Sequence, residues 1–253
     1  MEYGICNLAM APLRAQPSER AEQVSQILFG EAFEIMEWNG QWARVITAFD
    51  GYEGWLNKLL FKTLEQASYQ SLIENPATFT IHPVTQARKR TDDSMVYLPF
   101  GSSLSFLKGT IVDIADDAFE IMTEIGEQPD FEAIAKSFLN TPYLWGGRTH
   151  FGIDCSGFTQ AVMRTQNILL KRDAYMQAEQ GNTVDFLQEA KLGDLAFFDN
   201  DEGRIVHVGI MLNNEQIIHA SGKVRIDTID NQGIYAADQK KYTHKLRIIK
   251  RLF

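Results

Sequence analysis

The residues of this chain best suited to chemistry are one cysteine and two histidines. Cys155 lies between Gly152 and Gly157, where the chain can turn sharply into a helix. His207 and His219 lie downstream, each inside an apolar, strand-like run. Helix N-terminal amides favour a thiolate, and a nearby imidazole can take the thiol proton. The pattern therefore predicts a cysteine nucleophile, with His207 as its base and His219 as the residue that orients His207.

Alternation along the strands determines whether the two histidines can meet. Successive strand residues face opposite sides, so His207 shares a face with the small Gly209. In an antiparallel pair, a two-residue turn at Asn213-Asn214 would put His207 and His219 on opposite faces. A three-residue loop over 212–214 would instead set His207 directly opposite His219. We predict the three-residue loop, or a five-residue loop, with both rings on one face.

A metal site is the alternative for the same three side chains. Cys155, His207 and His219 offer one sulfur and two nitrogens, the donor set of an open zinc site. The sequence contains no Cys-x-x-Cys or His-x-x-x-His spacing, so we expect neither a metal nor a cofactor. The second cysteine, Cys6, lies in a short strand-like run and is expected to be a buried core residue.

Composition and charge argue against several classes of function. The chain has 253 residues, a formal net charge of −9 and a pI near 5.1, so it lacks the basic surface of a non-specific nucleic-acid binder. Its apolar runs are too short for a membrane-spanning helix, so no membrane association is expected. The first residues carry several charges and no continuous apolar core, so we expect no signal peptide and predict a cytoplasmic location.

The distribution of short runs predicts an N-terminal region built from small barrels. Residues 1–62 contain alternating strands with turns at Asn39-Gly40 and Asp50-Gly51, typical of a small β-barrel. Residues 63–78 are expected to be a short helical or irregular linker. Residues 79–127 again contain strand-like runs, including 79–81 and 103–107, and are predicted to form a second barrel.

Residues 128–253 have the pattern of a larger α+β domain. Apolar residues at helical spacing follow Asp130, a candidate N-cap, and a second helix is predicted behind Cys155. Strands are predicted at 194–198, 204–212, 215–220 and 246–252. The helix that carries Cys155 therefore precedes the strands that carry the two histidines.

These motifs resemble two known families. Residues 1–62 resemble the bacterial SH3-type domain, which commonly binds or positions cell-wall peptides; the matching segments are 13–18, 29–34, the Trp42 strand and 52–56. Residues 128–253 resemble the NlpC-type cysteine peptidases of bacterial peptidoglycan, through the motifs at 143–147, 154–157, 192–198, 207–210 and 218–221. This resemblance implies a papain-like core with a Cys-His-polar triad, in which His219 takes the third place.

The arrangement is most similar to the cytoplasmic γ-D-glutamyl-L-diamino acid endopeptidases of that family, which carry SH3-type domains before the catalytic domain. The resemblance implies hydrolysis of the D-γ-glutamyl–diamino acid bond of murein peptides with a free N-terminal L-Ala, in cell-wall peptide recycling. It also implies substrate-binding roles for seven residues. Tyr143 and Trp145 would be pocket walls, Asp154 would hold the substrate backbone or amine, and Ser156 the γ-glutamyl unit. Asp173 would lie at the amine subsite, and Glu53 of the first barrel and Tyr69 of the linker at the amine end of the cleft, which the first barrel closes in such enzymes.

Two other functions are compatible with the sequence. One is a secreted lytic endopeptidase acting on intact peptidoglycan, which would need a leader and an open or basic surface. The other is an inactive peptide-binding protein that works through its barrels. The intact set of Cys155, His207 and His219 argues against the second alternative.

Overall fold

The structure is a computed structural model that describes residues 1–75, 78–124 and 126–253. The chain divides into two units, Met1–Gln128 and Pro129–Phe253. Pro76, Ala77 and Ile125 lie outside the described residues, so the predicted linker (63–78) and second barrel (79–127) can be compared with the structure only over the rest of their ranges. Within the described ranges, no helix is both long enough and apolar enough to cross a bilayer.

The first unit begins with a seven-stranded antiparallel sheet around an apolar core. Its strands are β1 (Glu2–Ile5), β2 (Met10–Arg14), β3 (Gln23–Leu28), β4 (Ala32–Asn39), β5 (Trp42–Thr47), β6 (Glu53–Asn57) and β7 (Lys62–Leu64), in the spatial order β3-β2-β6-β5-β4-β1-β7. Asn39 pairs with Trp42 across a two-residue turn, in which Gly40 has a φ of +59°. The expected two-residue turn is therefore present, but its residues are Gly40 and Gln41, one position later than the predicted Asn39-Gly40.

A short helix and a five-stranded sheet complete the first unit. They are α1 (Gln66–Glu74), β8 (Val84–Lys89), β9 (Met95–Pro99), β10 (Leu107–Lys108), β11 (Ile111–Ile114) and β12 (Asp117–Ile121), with the strand order β10-β11-β12-β8-β9. The two sheets share apolar contacts, since the ring of Phe29 meets the edge of Phe119 with 4.9 Å between centroids. Such contacts make the two sheets parts of one packed body.

The strands predicted at 79–81 and 103–107 are wrong for most of their length. Phe79 forms only an isolated bridge with Ser103. The Ser103 amide donates to the Phe29 carbonyl at 2.8 Å, which fastens this segment to the first sheet. Phe106 then adopts a left-handed conformation with a φ of +66°, which a strand does not accommodate. Only the last residue of the predicted strand, Leu107, enters β10.

The second unit places helices before a seven-stranded antiparallel sheet. Its elements are α2 (Phe131–Ser137), β13 (Arg148–Thr149), β14 (Gly152–Ile153), α3 (Cys155–Arg164), α4 (Ala174–Gln177), β15 (Asn182–Val184), β16 (Leu195–Asp199), β17 (Ile205–Met211), β18 (Gln216–Ser221), β19 (Lys223–Asp230), β20 (Gly233–Ala236) and β21 (Lys241–Arg251). The main sheet has the order β15-β21-β16-β17-β18-β19-β20, and α3 packs on β17 and β18. The α+β class predicted for this region is confirmed.

Two details of the second unit matter for the site. The Asp130 side chain accepts from the Ala133 amide at 2.7 Å and caps α2, as expected from the sequence. Strands β19 and β20 were not predicted, and β21 begins at Lys241, five residues before the predicted strand at 246–252. The sheet is therefore wider than predicted, and its additional strands bring further side chains to the two histidines.

Candidate active site

Cys155 is the first residue of α3, as the sequence predicts. The preceding residue, Asp154, is the N-cap, and its Oδ1 accepts from the Gly157 amide at 2.7 Å. The turn is so tight that a Cβ at Gly157 would lie 2.3 Å from the carbonyl oxygen of Gly147. A glycine is therefore required there if the helix is to begin at the cysteine.

A buried ion pair holds this helix start in place. Arg172 is 1% exposed, and its guanidinium donates to both oxygens of Asp154, at 3.0 and 2.6 Å. Asp154 also accepts from the Gly146 amide at 2.8 Å, while Arg172 donates to the Ser156 hydroxyl at 2.8 Å. Both Asp154 oxygens are thus taken by protein donors, which argues against direct contact between this carboxylate and a substrate amine. The sequence reasoning missed Arg172, whose nearest signal was its place beside Asp173.

The two histidines lie on the same face of adjacent strands, but they are not directly opposite each other. The ladder between β17 and β18 pairs Gly209 with His219 and ends at Met211 and Ile217. Five residues, 212–216, therefore separate the last pair of this ladder, although the last of them, Gln216, already pairs with the next strand, β19. This is the five-residue alternative, and the three-residue loop over 212–214 is wrong. The Asn213 side chain accepts from the Glu215 amide at 2.8 Å, which widens the turn.

The diagonal arrangement brings the two rings into hydrogen-bond contact. Nε2 of His207 lies 2.9 Å from Nδ1 of His219, and both side chains are buried. Gly209 lies directly opposite His219, and a Cβ there would lie 2.8 Å from the Cβ of His219. The glycine between the two rings makes room for their contact, as the sequence pattern suggested.

Two more side chains reach the histidines, and the sequence reasoning missed both. Nε2 of His219 lies 2.9 Å from Oδ2 of Asp227, on β19. The ring of His244, on β21, stacks on His207 with 4.1 Å between centroids and 25° between planes. The available signal for Asp227 was the alternation of apolar and polar residues over 224–227, which is typical of a strand. His244 lies at the beginning of β21, where the sequence has no apolar alternation to mark a strand.

The sulfur of Cys155 lies against the strand that carries His207. The thiol receives hydrogen bonds from the backbone amides of Ser156 and Val208, and Val208 directly follows His207 in β17. Burial raises the pKa of the Cys155 thiol to about 12, and the Asp154 carboxylate raises it further, against the opposing effects of these amides and of Arg172. The expectation of a resting thiolate is therefore wrong, because desolvation outweighs the helix terminus.

Burial also keeps the His207 imidazole neutral. The pKa of His207 lies well below 6.5, first because the ring is removed from solvent and then because a positive charge on His207 would be repelled by one on His219 or His244. Burial likewise lowers the pKa of His244 to about 4. At neutral pH the site therefore holds a thiol and an uncharged imidazole, not an ion pair.

The histidine cluster does not have the geometry of a tetrahedral zinc site. Nitrogens of His207, His219 and His244 lie within 4.8 Å of one another. However, the lone pairs of an imidazole lie in its ring plane, and the stacked rings of His207 and His244 direct theirs along nearly parallel planes. Both nitrogens of His219 are already in hydrogen bonds, to His207 and to Asp227. This arrangement suits proton transfer between hydrogen-bonded rings better than it suits metal ligation.

Three other predicted site residues lie near the start of α3 or of α4. Tyr143 forms an isolated bridge with Ile153, two residues before Cys155, and burial raises the pKa of its hydroxyl. Trp145 is 58% exposed and belongs to the loop that leads to Gly146. Asp173 is half-buried and precedes α4 without capping it by its side chain. Their roles toward a substrate stay predictions.

The two candidates in the first unit have partners inside that unit. Glu53 is exposed and accepts from Arg44 at 2.7 Å. Tyr69 is buried, stacks on Tyr3 with 4.2 Å between centroids and donates to Glu34 at 3.2 Å. Packing accounts for Tyr69 within its own unit, and the substrate roles of Glu53 and Tyr69 stay predictions.

Comparison with known proteins identifies the family. A model of the NlpC/P60 family matches residues 140–246, which include Cys155, His207 and His219. A model of the bacterial dipeptidyl-peptidase Sh3 domain matches residues 13–58. A γ-D-glutamyl-L-lysine dipeptidyl-peptidase of Bacillus subtilis (strain 168) is 30% identical, over 78% of this chain and 71% of its own length. The chain belongs to the NlpC/P60 family.

Other relatives agree with this membership. Dipeptidyl-peptidase 6 of Lysinibacillus sphaericus is 28% identical, over 88% of this chain and 90% of its own length. The crystal structure of an NlpC/P60 family protein from Bacillus cereus ATCC 10987 superposes with a TM-score of 0.81 at 19% identity, covering 98% of this chain and 99% of that one. The chain is thus a cysteine peptidase with a papain-like catalytic domain preceded by an SH3-type domain, and its family acts on peptidoglycan peptides.

Proposed function

We propose that this NlpC/P60 peptidase hydrolyses the bond between D-γ-glutamate and an L-diamino acid in murein peptides that begin with a free L-Ala. The observation that carries the proposal is the burial of Cys155 at the start of α3, which packs on β17 and β18, where His207 and His219 are in hydrogen-bond contact. The names of its relatives support the bond and the dipeptide product. A role in peptide recycling in the cytoplasm is the corresponding prediction.

The proposed reaction begins from a neutral thiol. As the sulfur bonds to the γ-glutamyl carbonyl carbon, the thiol proton passes to His207 and the carbonyl oxygen becomes negative. Collapse of this intermediate breaks the C–N bond, and His207 returns the proton to the departing amine. Water then attacks the thioester, His207 takes one of its protons, and the sulfur leaves as the thiol. Because burial raises the pKa of the thiol, we propose that proton transfer to His207 accompanies the attack.

The helix start supplies the partner for the negative carbonyl oxygen. The first amides of a helix have no acceptor inside the helix. The Asp154 side chain takes the Gly157 amide, which lies further along the turn. We assign the backbone N–H of Cys155 as the oxyanion donor, because it lies beside the sulfur and belongs to the first turn.

Recognition of the free amine is assigned to Asp173 within the catalytic domain. The half-buried Asp173 directly follows Arg172, the partner of Asp154, and lies at the start of α4. A carboxylate in a partly desolvated position binds an ammonium group through charge-assisted hydrogen bonds. An acetylated N-terminus offers no positive charge to such a group.

The test compares three substrates by product analysis. We expect rapid release of L-Ala-γ-D-Glu from tripeptides ending in L-Lys or diaminopimelate, a kcat/KM about 100-fold lower for their N-acetylated forms, and slow action on intact sacculi. Asp173→Asn should narrow the difference between free and acetylated peptides, while Asp201→Asn, an exposed control in a turn, should leave it unchanged. Equal cleavage of both peptides would refute amine recognition, and a preference for sacculi would favour a lytic endopeptidase.

A further inference from the structure

The hydrogen bond between His207 and His219 is the beginning of a longer chain of polar contacts, which continues from His219 to Asp227 and its partner Arg225. Oδ2 of Asp227 lies 2.9 Å from Nε2 of His219 and also accepts from Nε of Arg225 at 2.7 Å. The other oxygen, Oδ1, accepts from Nη2 of Arg225 at 2.8 Å. On its far side Arg225 donates to both oxygens of Asp238, at 2.7 and 3.0 Å. The row therefore continues as His207, His219, Asp227, Arg225 and Asp238.

Strand register explains how these side chains become aligned. β18 and β19 pair Ile217 with Asp227 and His219 with Arg225. Residues of like parity share a face, so Asp227 and Arg225 lie on the face that carries His219. His207, His219 and Asp227 therefore step diagonally across β17, β18 and β19 on one face of the sheet. This alignment requires the strand β19, which holds Asp227 with only 7% of its surface exposed.

The hydrogen bonds to Asp227 keep it ionised. Burial alone would raise the pKa of the Asp227 carboxyl, but hydrogen bonds from His219 and Arg225 lower it below its usual value. Arg225 is clamped between two carboxylates, and the pKa of this guanidinium is raised. An ionised Asp227 is an acceptor only, so it cannot donate to His219.

We propose that Asp227, clamped by Arg225, is a positioning residue that sets the tautomers of both histidines. Because Asp227 accepts only, Nε2 of His219 must carry the proton, and Nδ1 of a neutral His219 is then a lone-pair acceptor. The Nε2 of His207 at 2.9 Å must therefore be the donor of that hydrogen bond. The remaining nitrogen of His207, Nδ1, has the lone pair and is the base available to the thiol.

This inference rests on the proposed function for its catalytic consequence, but not for the tautomers. In the wrong tautomer His207 would present an N–H to the thiol and could not accept its proton. In Asp227→Asn, the amide NH2 must face either His219 or the guanidinium of Arg225, both of which are donors at this site. In the first orientation His219 meets a donor in place of its acceptor, and in the second the amide NH2 opposes Arg225 and loosens the clamp. In either orientation the carboxylate is lost, so the constraint on His219 is weakened while the side chain keeps its size.

The experiment measures tautomers and turnover in the full-length protein. Imidazole ¹⁵N spectra of wild type at pH 7.5 should show protonated Nε2 and unprotonated Nδ1 in both His207 and His219. Asp227→Asn should shift His207 toward a mixture of tautomers and lower kcat on L-Ala-γ-D-Glu-L-Lys about 100-fold or more, with KM within about twofold. Asp238→Asn is the matched control: it keeps the contacts of Arg225 with Asp227 and should change kcat less than about twofold.

The outcomes separate this inference from the proposed substrate. A wild-type spectrum with the proton on Nδ1 of His207 overturns the inference without any variant, even if Asp227→Asn fails to fold. Equal loss of kcat in Asp227→Asn and Asp238→Asn also overturns it. The contacts of the two carboxylates with Arg225, and not the contact of Asp227 with His219, would then matter for turnover. If the tautomers are as expected but the tripeptide is not cleaved, the proposed substrate fails while the inference stands.

Discussion

The two cysteines of this chain lie in regions that share an electrostatic property and differ in almost everything else. Burial raises the pKa of Cys6 to about 12, and burial followed by the Asp154 charge raises the pKa of Cys155 to about 12 as well. Both thiols are therefore protonated at neutral pH. Comparison of the two regions shows that a shifted thiol pKa does not by itself identify a nucleophile.

The contacts around the two sulfurs explain their different chemistry. Cys6 is fully buried in the apolar core of the first sheet, and its thiol donates to the Leu8 carbonyl at 3.4 Å. The sulfur of Cys155 instead receives one backbone amide from the helix start, Ser156, and one from Val208, the residue that follows His207 on β17. Donors directed at the sulfur, together with a neutral base, prepare Cys155 for an ionisation that occurs only during attack.

The largest effect that tests this comparison is the loss of either sulfur. Cys155→Ala should lower kcat on the tripeptide at least about 1,000-fold, because no other group can form the thioester. Cys6→Ala should leave kcat and KM unchanged and cost about 1 kcal/mol of stability, because it removes one buried atom from a packed core. Turnover measured by product release, together with urea unfolding, distinguishes the two effects.

Alkylation offers a control that does not depend on the substrate. Iodoacetamide should label Cys155 ahead of Cys6 in the native protein, with a rate that rises with pH through pH 9, as expected for a protonated thiol. A Cys155 labelling rate that is already maximal at pH 5 would show a resting thiolate. That result would contradict the neutral-thiol mechanism while leaving the nucleophile in place.

A second prediction compares two ion pairs of equal length in the two units. Arg172 and Asp154 are 2.6 Å apart and almost wholly buried, whereas Arg88 and Glu120 are also 2.6 Å apart but have side chains 43% and 30% exposed. Arg172→Met should cost about 3–5 kcal/mol, because a buried carboxylate loses its counter-ion. Arg88→Met should cost less than about 1 kcal/mol, because solvent screens the surface pair.

Hydrogen exchange localises the effect of the buried pair. The Gly157 amide, which donates to Asp154, should lose protection in Arg172→Met and keep it in Arg88→Met. Equal stability losses in the two variants would mean that the ion pair does not anchor the helix start. Activity should fall with the loss of protection at Gly157, since the position of Cys155 depends on the same turn.

The sequence predicted those parts of the site that depend on local chain geometry. The turn into α3, its N-cap and the cysteine at its first position all arise within a few residues, where glycine and aspartate have strong local preferences. The shared face of His207 and His219 also followed from strand alternation. The loop length did not, because the side chain of Asn213 selects a wider turn than spacing alone suggests.

The missed parts depend on contacts between distant segments. Asp227 and His244 belong to strands with no chemical motif, and they reach the site only because β19 and β21 pair where they do. Arg172 is a buried charge in an irregular segment, and its partner could not be chosen from spacing. The protonation state of Cys155 was also mispredicted, because burial depends on the packed sheet and not on the helix start alone.

The smallest predicted effect concerns the ring that stacks on the base. Cys6 lies in an apolar core, whereas His207, the base proposed for Cys155, contacts the ring of His244. Burial comes first among the causes that lower the pKa of His207, followed by His219 and then His244. His244→Phe keeps an aromatic ring in place and removes one group that can carry positive charge, so it should raise the pKa of His207 toward 6.5.

The pH profile is the measurement. Neutral His207 is the active form, so kcat/KM falls as pH drops through the lowered pKa of His207. This acid limb should move to higher pH by about half a pH unit in His244→Phe, while kcat/KM at pH 7.5 stays unchanged.

Stability should also fall as the pH is lowered. The unfolded chain binds protons near pH 6.5 that the folded His207 and His244 do not bind, so acidification below pH 6.5 destabilises the fold. With one such histidine fewer, His244→Phe should lose less thermal stability between pH 7.5 and 5 than wild type. An acid limb that moves to lower pH in His244→Phe would contradict this prediction. It would mean that the His244 ring raises the pKa of His207, so His244 would not help to keep the base of Cys155 neutral.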